Sequence, residues 1–170
     1  FPQGAYTAVA NYDESGNYSY IVSSNADSGW DPAAVSAIYN SKQTYDYFLN
    51  THNRSSFDGN GTKLINIVNA LDDGGPLFNA YWNGSQMVYG VGADGSKNMA
   101  IALDVAGHEF SHGVVQFTAH LVYQNQSGAL NESFADFFGA MIDREDWYMG
   151  EDLESPYSQY DYLSDMMNPS

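Results

Sequence analysis

The sequence has no cysteine, which excludes disulfide bridges and thiolate metal ligands, so stability must come from packing or from bound ions. Cations are almost as scarce. Lys42, Arg54, Lys63, Lys97 and Arg144 stand against 21 Asp and Glu, and a formal charge of -16 repels phosphate backbones, so nucleic acid is not expected as a partner. No window approaches the roughly 18 uninterrupted apolar residues of a membrane span, and no membrane partner is expected. The chain opens at Phe1-Pro2-Gln3-Gly4 without a charged leader and apolar run, which reads as the start of a processed chain.

What is present is apolar and aromatic. Hydrophobic residues make up 44% of the chain and 14 residues are Tyr, enough buried surface to offset the entropy of ordering, so the chain is globular. Its 170 residues suffice for one good core, or for one lobe and part of another. Residues 1–30 alternate apolar and polar groups among turn formers and predict short strands. Asp31-Pro32 marks a helix start, and apolar residues at helical spacing carry that helix to about His52. Strands are expected over 63–68 and 86–89, a helix over roughly 98–119, and a second over Ala129–Arg144. In that last helix Leu130, Phe134, Phe137, Phe138 and Met141 are expected to cover a core, while Glu132 and Asp136, four apart, share another side.

The chemistry concentrates in His108-Glu109-Phe110-Ser111-His112. On a helix, positions i and i+4 lie about 40° apart around the axis and about 6 Å along it, so both imidazoles can aim at one ion. Chance produces this pattern in about one chain in 300 of this composition, which makes an accidental pair of histidines a poor account. A catalytic zinc takes three protein ligands and leaves a position for water, and Glu109 beside it can accept a proton. The spacing therefore assigns a ligand pair and a base.

Around this motif, Gly128-Ala129-Leu130-Asn131-Glu132 with Asp136, together with segments at 45–48, 52–54, 57–60, 79–90 and 146–152, makes the chain resemble the thermolysin-like neutral metalloproteases over nearly its whole length. The resemblance implies an α+β, zincin-like lobe in which a twisted mixed or antiparallel sheet packs on long helices, divided into a β-rich lobe over 1–121 and the start of a helical lobe over 122–170. It implies His108, His112 and Glu132 as zinc ligands, Glu109 as general base, and Asp136 and Asn131 as the groups orienting His108 and His112. Tyr123 would steady a developing oxyanion, Asn79 and the Ala80 backbone would hold an extended peptide, and Val105, with Leu163, would line a pocket for a large apolar residue just after the cut. Asp104, Asp143, Asp146 and Glu151 resemble positions that bind one calcium ion. A second calcium is not expected, because Tyr148 stands where relatives supply a carboxylate.

The same resemblance marks two departures. Ser164 occupies the place where an Arg usually binds the substrate carbonyl, and the helical lobe that supplies a transition-state His is only begun. Neither His52 nor His120 takes that role. Two readings stay open: a secreted zinc endopeptidase acting with its complementary helical lobe on peptide or protein substrates, and a non-catalytic or incomplete metal-binding module. Gly90-Val91-Gly92-Ala93-Asp94-Gly95 fits a dinucleotide pattern, but a zinc-motif helix follows it, so a turn is expected.

Overall fold

Asp31 and Pro32 begin a helix as their chemistry dictates. The Asp31 carboxylate accepts the Ala34 amide at 3.1 Å, and α1 runs Pro32–His52 until Asn53, at φ 51°, turns the chain out. A computed structural model describes residues 6–12, 17–21, 28–91, 97–153 and 162–168. Within them β1 (Tyr6–Tyr12), β2 (Tyr18–Tyr20), β3 (Leu64–Val68), β4 (Leu71–Asp72), β5 (Gly75–Pro76), β6 (Ala80–Trp82) and β7 (Met87–Tyr89) precede two long helices. The remainder of the dinucleotide-like stretch beyond Val91 lies outside the described residues, as do parts of the 1–30 segment.

Five strands form one mixed sheet in the order β2-β1-β3-β7-β6, with parallel pairs inside and antiparallel pairs at both margins. Among the described residues β6 is thus an edge strand. The segment Leu64–Val68, with Ile65, Ile67 and Val68 branched at Cβ, sits at the centre of the sheet, and Leu64, Met87 and Tyr89 share a buried cluster with Phe48 of α1 and Phe110 of the next helix.

That helix, α2, spans Leu103–Thr118 and starts later than the sequence reading of about 98. Asn98 instead caps a short 3-10 turn over Met99–Ile101, and Ala102 is extended. The cause lies in α1. The Asn40 amide donates to the carbonyls of Ala100 and Ile101 at 2.9 and 3.0 Å, acceptors that a continuous helix would have used itself.

The second long helix, α3, spans Asn125–Asp143 and begins four residues before the expected Ala129. Gly128 is helical interior, and its missing side chain lets the Tyr123 backbone lie where a Cβ would come within 3.3 Å. The expected apolar face holds in part, with Phe138 packed against the core and Met141 half-buried, and is otherwise corrected. Leu130, Phe134 and Phe137 are 46%, 41% and 45% exposed, while Gly128, Asn131, Ala135, Gly139 and Ala140 are the buried set. Two glycines explain the substitution. A Cβ at Gly139 would come within 2.7 Å of the Asp104 carbonyl oxygen, and one at Gly107 within 3.2 Å of the Gly139 Cα, so α2 and α3 meet backbone to backbone. β8 (Tyr148–Met149) and β9 (Ser164–Asp165) pair beyond α3.

Candidate metal centre and cleft

The close α2–α3 crossing brings residues 108 and 112 of one helix against 131, 132 and 136 of the other. His108 Nδ1 lies 2.8 Å from Asp136 Oδ1, and His112 Nδ1 lies 2.8 Å from Asn131 Oδ1. As these oxygens are acceptors, each Nδ1 carries a proton, and Nε2 is the nitrogen that each ring, when neutral, can turn to a metal ion. The two Nε2 atoms face one another at 3.0 Å. Glu132 completes a triangle, with Oε2 3.3 Å from His108 Nε2 and Oε1 3.6 Å from His112 Nε2. Tetrahedral zinc with ligands at about 2.0–2.1 Å sets ligand-to-ligand separations of about 3.3–3.4 Å, so the three side chains fit that ion.

In the cation-free centre a proton on the His108 ring stands in for the positive charge. Burial works against the His108 charge, but hydrogen bonds to Asp136 and Glu132 and the charge of Glu109 outweigh it and hold the ring up at about 10. His112 goes down, chiefly through burial and partly through His108. Glu132 is drawn down to about 2 by its hydrogen bond with His108, against burial, with Tyr123 assisting. This carboxylate, two imidazoles and a surrounding of further acids favour a cation.

Glu109 is buried beside His108 at 5% exposure. Burial pushes its carboxyl up to about 7, opposed by the His108 charge and by the backbone N–H of Trp82, and its Oε2 has no hydrogen-bond partner. Trp82 was not anticipated from sequence, since nothing local marks an amide aimed across the fold. The Tyr123 hydroxyl donates to Glu132, which raises the phenol to about 12.

These groups line a cleft of about 830 Å³ between β6, α2 and α3. Asn79, Ala80 and Val105 line it as expected from sequence, with Leu163 and Ser164 at its far side. Met99 and Met149, which the sequence reading did not single out, join them, and no Lys or Arg is among the lining residues. His120, at φ 50°, also lines the cleft, whereas His52 packs edge-on against Phe138.

The expected calcium set is only partly gathered. Asp143 and Glu151 approach each other within 4.8 Å together with Asp152, which was not foreseen. Asp104 is buried with its oxygens accepting the amides of Val105 and Gly150, and Asp146 is exposed and accepts the Tyr148 amide at 2.7 Å. Both still act on the group through their charge: Glu151 is pushed up to about 7 by burial and by Asp104, Asp146 and Asp143.

A half-buried histidine pair, a facing carboxylate and an open cleft along a sheet edge define a metallopeptidase-like centre. The chain belongs to the thermolysin metallopeptidase family: the family's catalytic-domain model matches residues 4–116 and its alpha-helical-domain model matches 119–170. Bacillolysin from Brevibacillus brevis is 49% identical over 86% of this chain, and an extracellular elastase from Staphylococcus epidermidis is 44% identical over 98%. The precursor of protealysin, a metalloproteinase from Serratia proteamaculans, superposes with a TM-score of 0.78 at 34% identity over 97% of the chain. The chain spans 28% and 34% of the length of those two curated relatives and 53% of the solved structure.

Proposed function

We propose that this chain is the zinc-bearing part of a secreted zinc endopeptidase that cuts internal peptide bonds before large apolar residues. The observation that carries the reading is the convergence of His108, His112 and Glu132 at separations suited to one tetrahedral ion. Zinc, when bound there, supplies Lewis acidity toward a carbonyl and acidity to water. The chain's own residues do the rest. Glu109, buried beside His108, takes a proton and returns it to the leaving amine. Asp136 and Asn131 fix the tautomers of His108 and His112. The outer edge of β6, last in the order of the described strands, suits an extended peptide laid as a further strand, with Ala80 offering backbone groups and Asn79 its amide. Val105 and Leu163 receive the apolar side chain, and Tyr123, released from Glu132, donates to the oxyanion.

The same reading divides the chain into a lobe over 1–121 and the start of a helical lobe over 122–170, whose remainder covers the exposed Leu130, Phe134 and Phe137. It also places one calcium ion at Asp143 and Glu151, with Asp104 and Asp146 nearby. Secretion accords with the name of the extracellular elastase relative, and no helix among the described residues is long and apolar enough to cross a membrane.

Ser164 and the absence of any Lys or Arg in the cleft lining favour a second reading, a metal-binding module without turnover. A fluorogenic peptide assay with the complementary helical lobe supplied separates the two. Turnover that falls about 10²–10⁴-fold in Glu109→Gln while zinc is retained supports the enzyme. Retained zinc with undiminished activity in that variant overturns the role of Glu109, and zinc binding without turnover in the parent favours the module.

A further inference from the structure

Trp82 and Gln116 join the wall of the cleft to the helix that carries the base. Gln116 lies one turn beyond His112 on α2, and its side chain spans two contacts: Oε1 accepts the Trp82 indole N–H at 2.8 Å, and Nε2 donates to the Gly84 carbonyl at 3.2 Å. The Trp82 ring is fixed on its other faces as well. Phe57 packs against it at 4.8 Å between centroids, and Gly113 lies so close beneath that a Cβ there would come within 3.2 Å of the indole. The backbone N–H of this same residue reaches Glu109, whose other oxygen has no partner.

We infer that Gln116 and Trp82 form a latch that sets the position of Glu109 relative to the β6 edge, which makes Gln116 a positioning residue for peptide hydrolysis. The inference rests on the proposed function for its kinetic consequence, but the latch itself is a matter of hydrogen bonds. Among the described residues β7 is the strand paired with β6, and β6 ends in a turn closed by the Asn83 amide on the Gln86 carbonyl; Gln116 ties both that turn and the Trp82 ring to α2. A displacement of about 1 Å between a base and its target costs up to about a hundredfold in rate. With one oxygen bonded and one bare, Glu109 follows wherever the Trp82 amide goes.

The test uses Gln116→Leu, which removes both contacts at similar size, Trp82→Phe, which keeps a ring and removes the indole donor, and the double variant, each joined to its complementary lobe and zinc-loaded. For a latch, each single variant lowers kcat about tenfold with KM and zinc content little changed, and the double loses no more than the larger single because both cut one linkage. Hydrogen exchange at the Trp82 backbone amide is the second measurement, and it needs no turnover: Gln116→Leu speeds it about tenfold if the indole contact holds that amide on Glu109. Exchange unchanged in Gln116→Leu overturns the latch, as do unchanged kcat or losses that multiply in the double variant. A parent without turnover whose Trp82 amide responds to Gln116→Leu sinks the enzyme reading and leaves the latch standing.

Discussion

Withdrawing calcium from a zinc-loaded chain and raising the pH should destabilise the fold, and the acidic group beside α3 sets the size of the effect. Asp104 is held up at about 6 by burial, partly offset by the Gly150 and Val105 amides, with the charges of Asp143 and Asp152 pushing further up. Asp143 stands at about 6 through burial and its acidic neighbours, and Glu151 at about 7. Folded carboxyls with raised values bind protons more tightly than unfolded ones, so the stability they contribute is present below about pH 4 and lost as pH rises through about 6 to 7. Between pH 5 and 7.5 Asp104, 1% exposed, titrates across about one unit and loses about 1.4 kcal/mol. Asp143 and Glu151 are more exposed and screened by solvent, and together add no more than about 1 kcal/mol. The sum, about 2 kcal/mol, lowers Tm by roughly 4–8 °C in a chain of this length. The proposed calcium ion would bind the ionised folded form and restore the loss at pH 7.5, where Glu151→Gln should remove the response and only its own share of the penalty, the Asp104 share remaining. Circular dichroism melts in calcium-free and calcium-containing buffers at the two pH values measure this. Equal calcium-free Tm values at pH 5 and 7.5 refute the electrostatic argument, and a calcium response that survives Glu151→Gln refutes the site.

Three further outcomes are expected. Asn131→Ala leaves the His112 Nδ1–H without its acceptor and lowers zinc affinity about 10–100-fold in competition with a chelator at neutral pH, with the helices intact by circular dichroism. His120→Gly relieves a left-handed residue at φ 50° and raises stability by about 1 kcal/mol in a denaturant titration; no gain means that the turn is already unstrained. Gly139→Ala drives a methyl group toward the Asp104 carbonyl, 2.7 Å away, costs about 3 kcal/mol by denaturant titration and lowers zinc affinity, because α2 and α3 must separate at the point that brings Glu132 to the histidines.

The parts of this molecule that were legible in sequence are those decided within a few residues. Asp31-Pro32 predicted the start of α1 because cap and first turn lie side by side, and His108 with His112 predicted a shared target because four residues make one helical turn. The partnership of Asp136 with His108 and of Asn131 with His112 came through family resemblance, and the 2.8 Å contacts place both pairs together. What spacing could not supply was set by contacts distant in the chain. Asn40, about sixty residues away, takes the carbonyls that delay α2, and the Trp82 amide reaches Glu109 from a strand with no local mark of that purpose.

The misread face of α3 has a physical origin that bears on the site itself. Helical spacing identifies an apolar stripe but not what covers it, and Leu130, Phe134 and Phe137 form such a stripe on the side away from α2. Packing large side chains toward α2 would have held the two helices apart at the usual 8–10 Å or more. The glycines at 107 and 139 remove that spacer, and with it the distance that would have kept Glu132 out of reach of His108 and His112. The metal-ligand geometry and the exposed stripe are therefore linked: glycines at the α2–α3 crossing close the centre while Phe138 and Ile142 pack beside it, and Leu130, Phe134 and Phe137 turn outward to a face that a further helical lobe can cover.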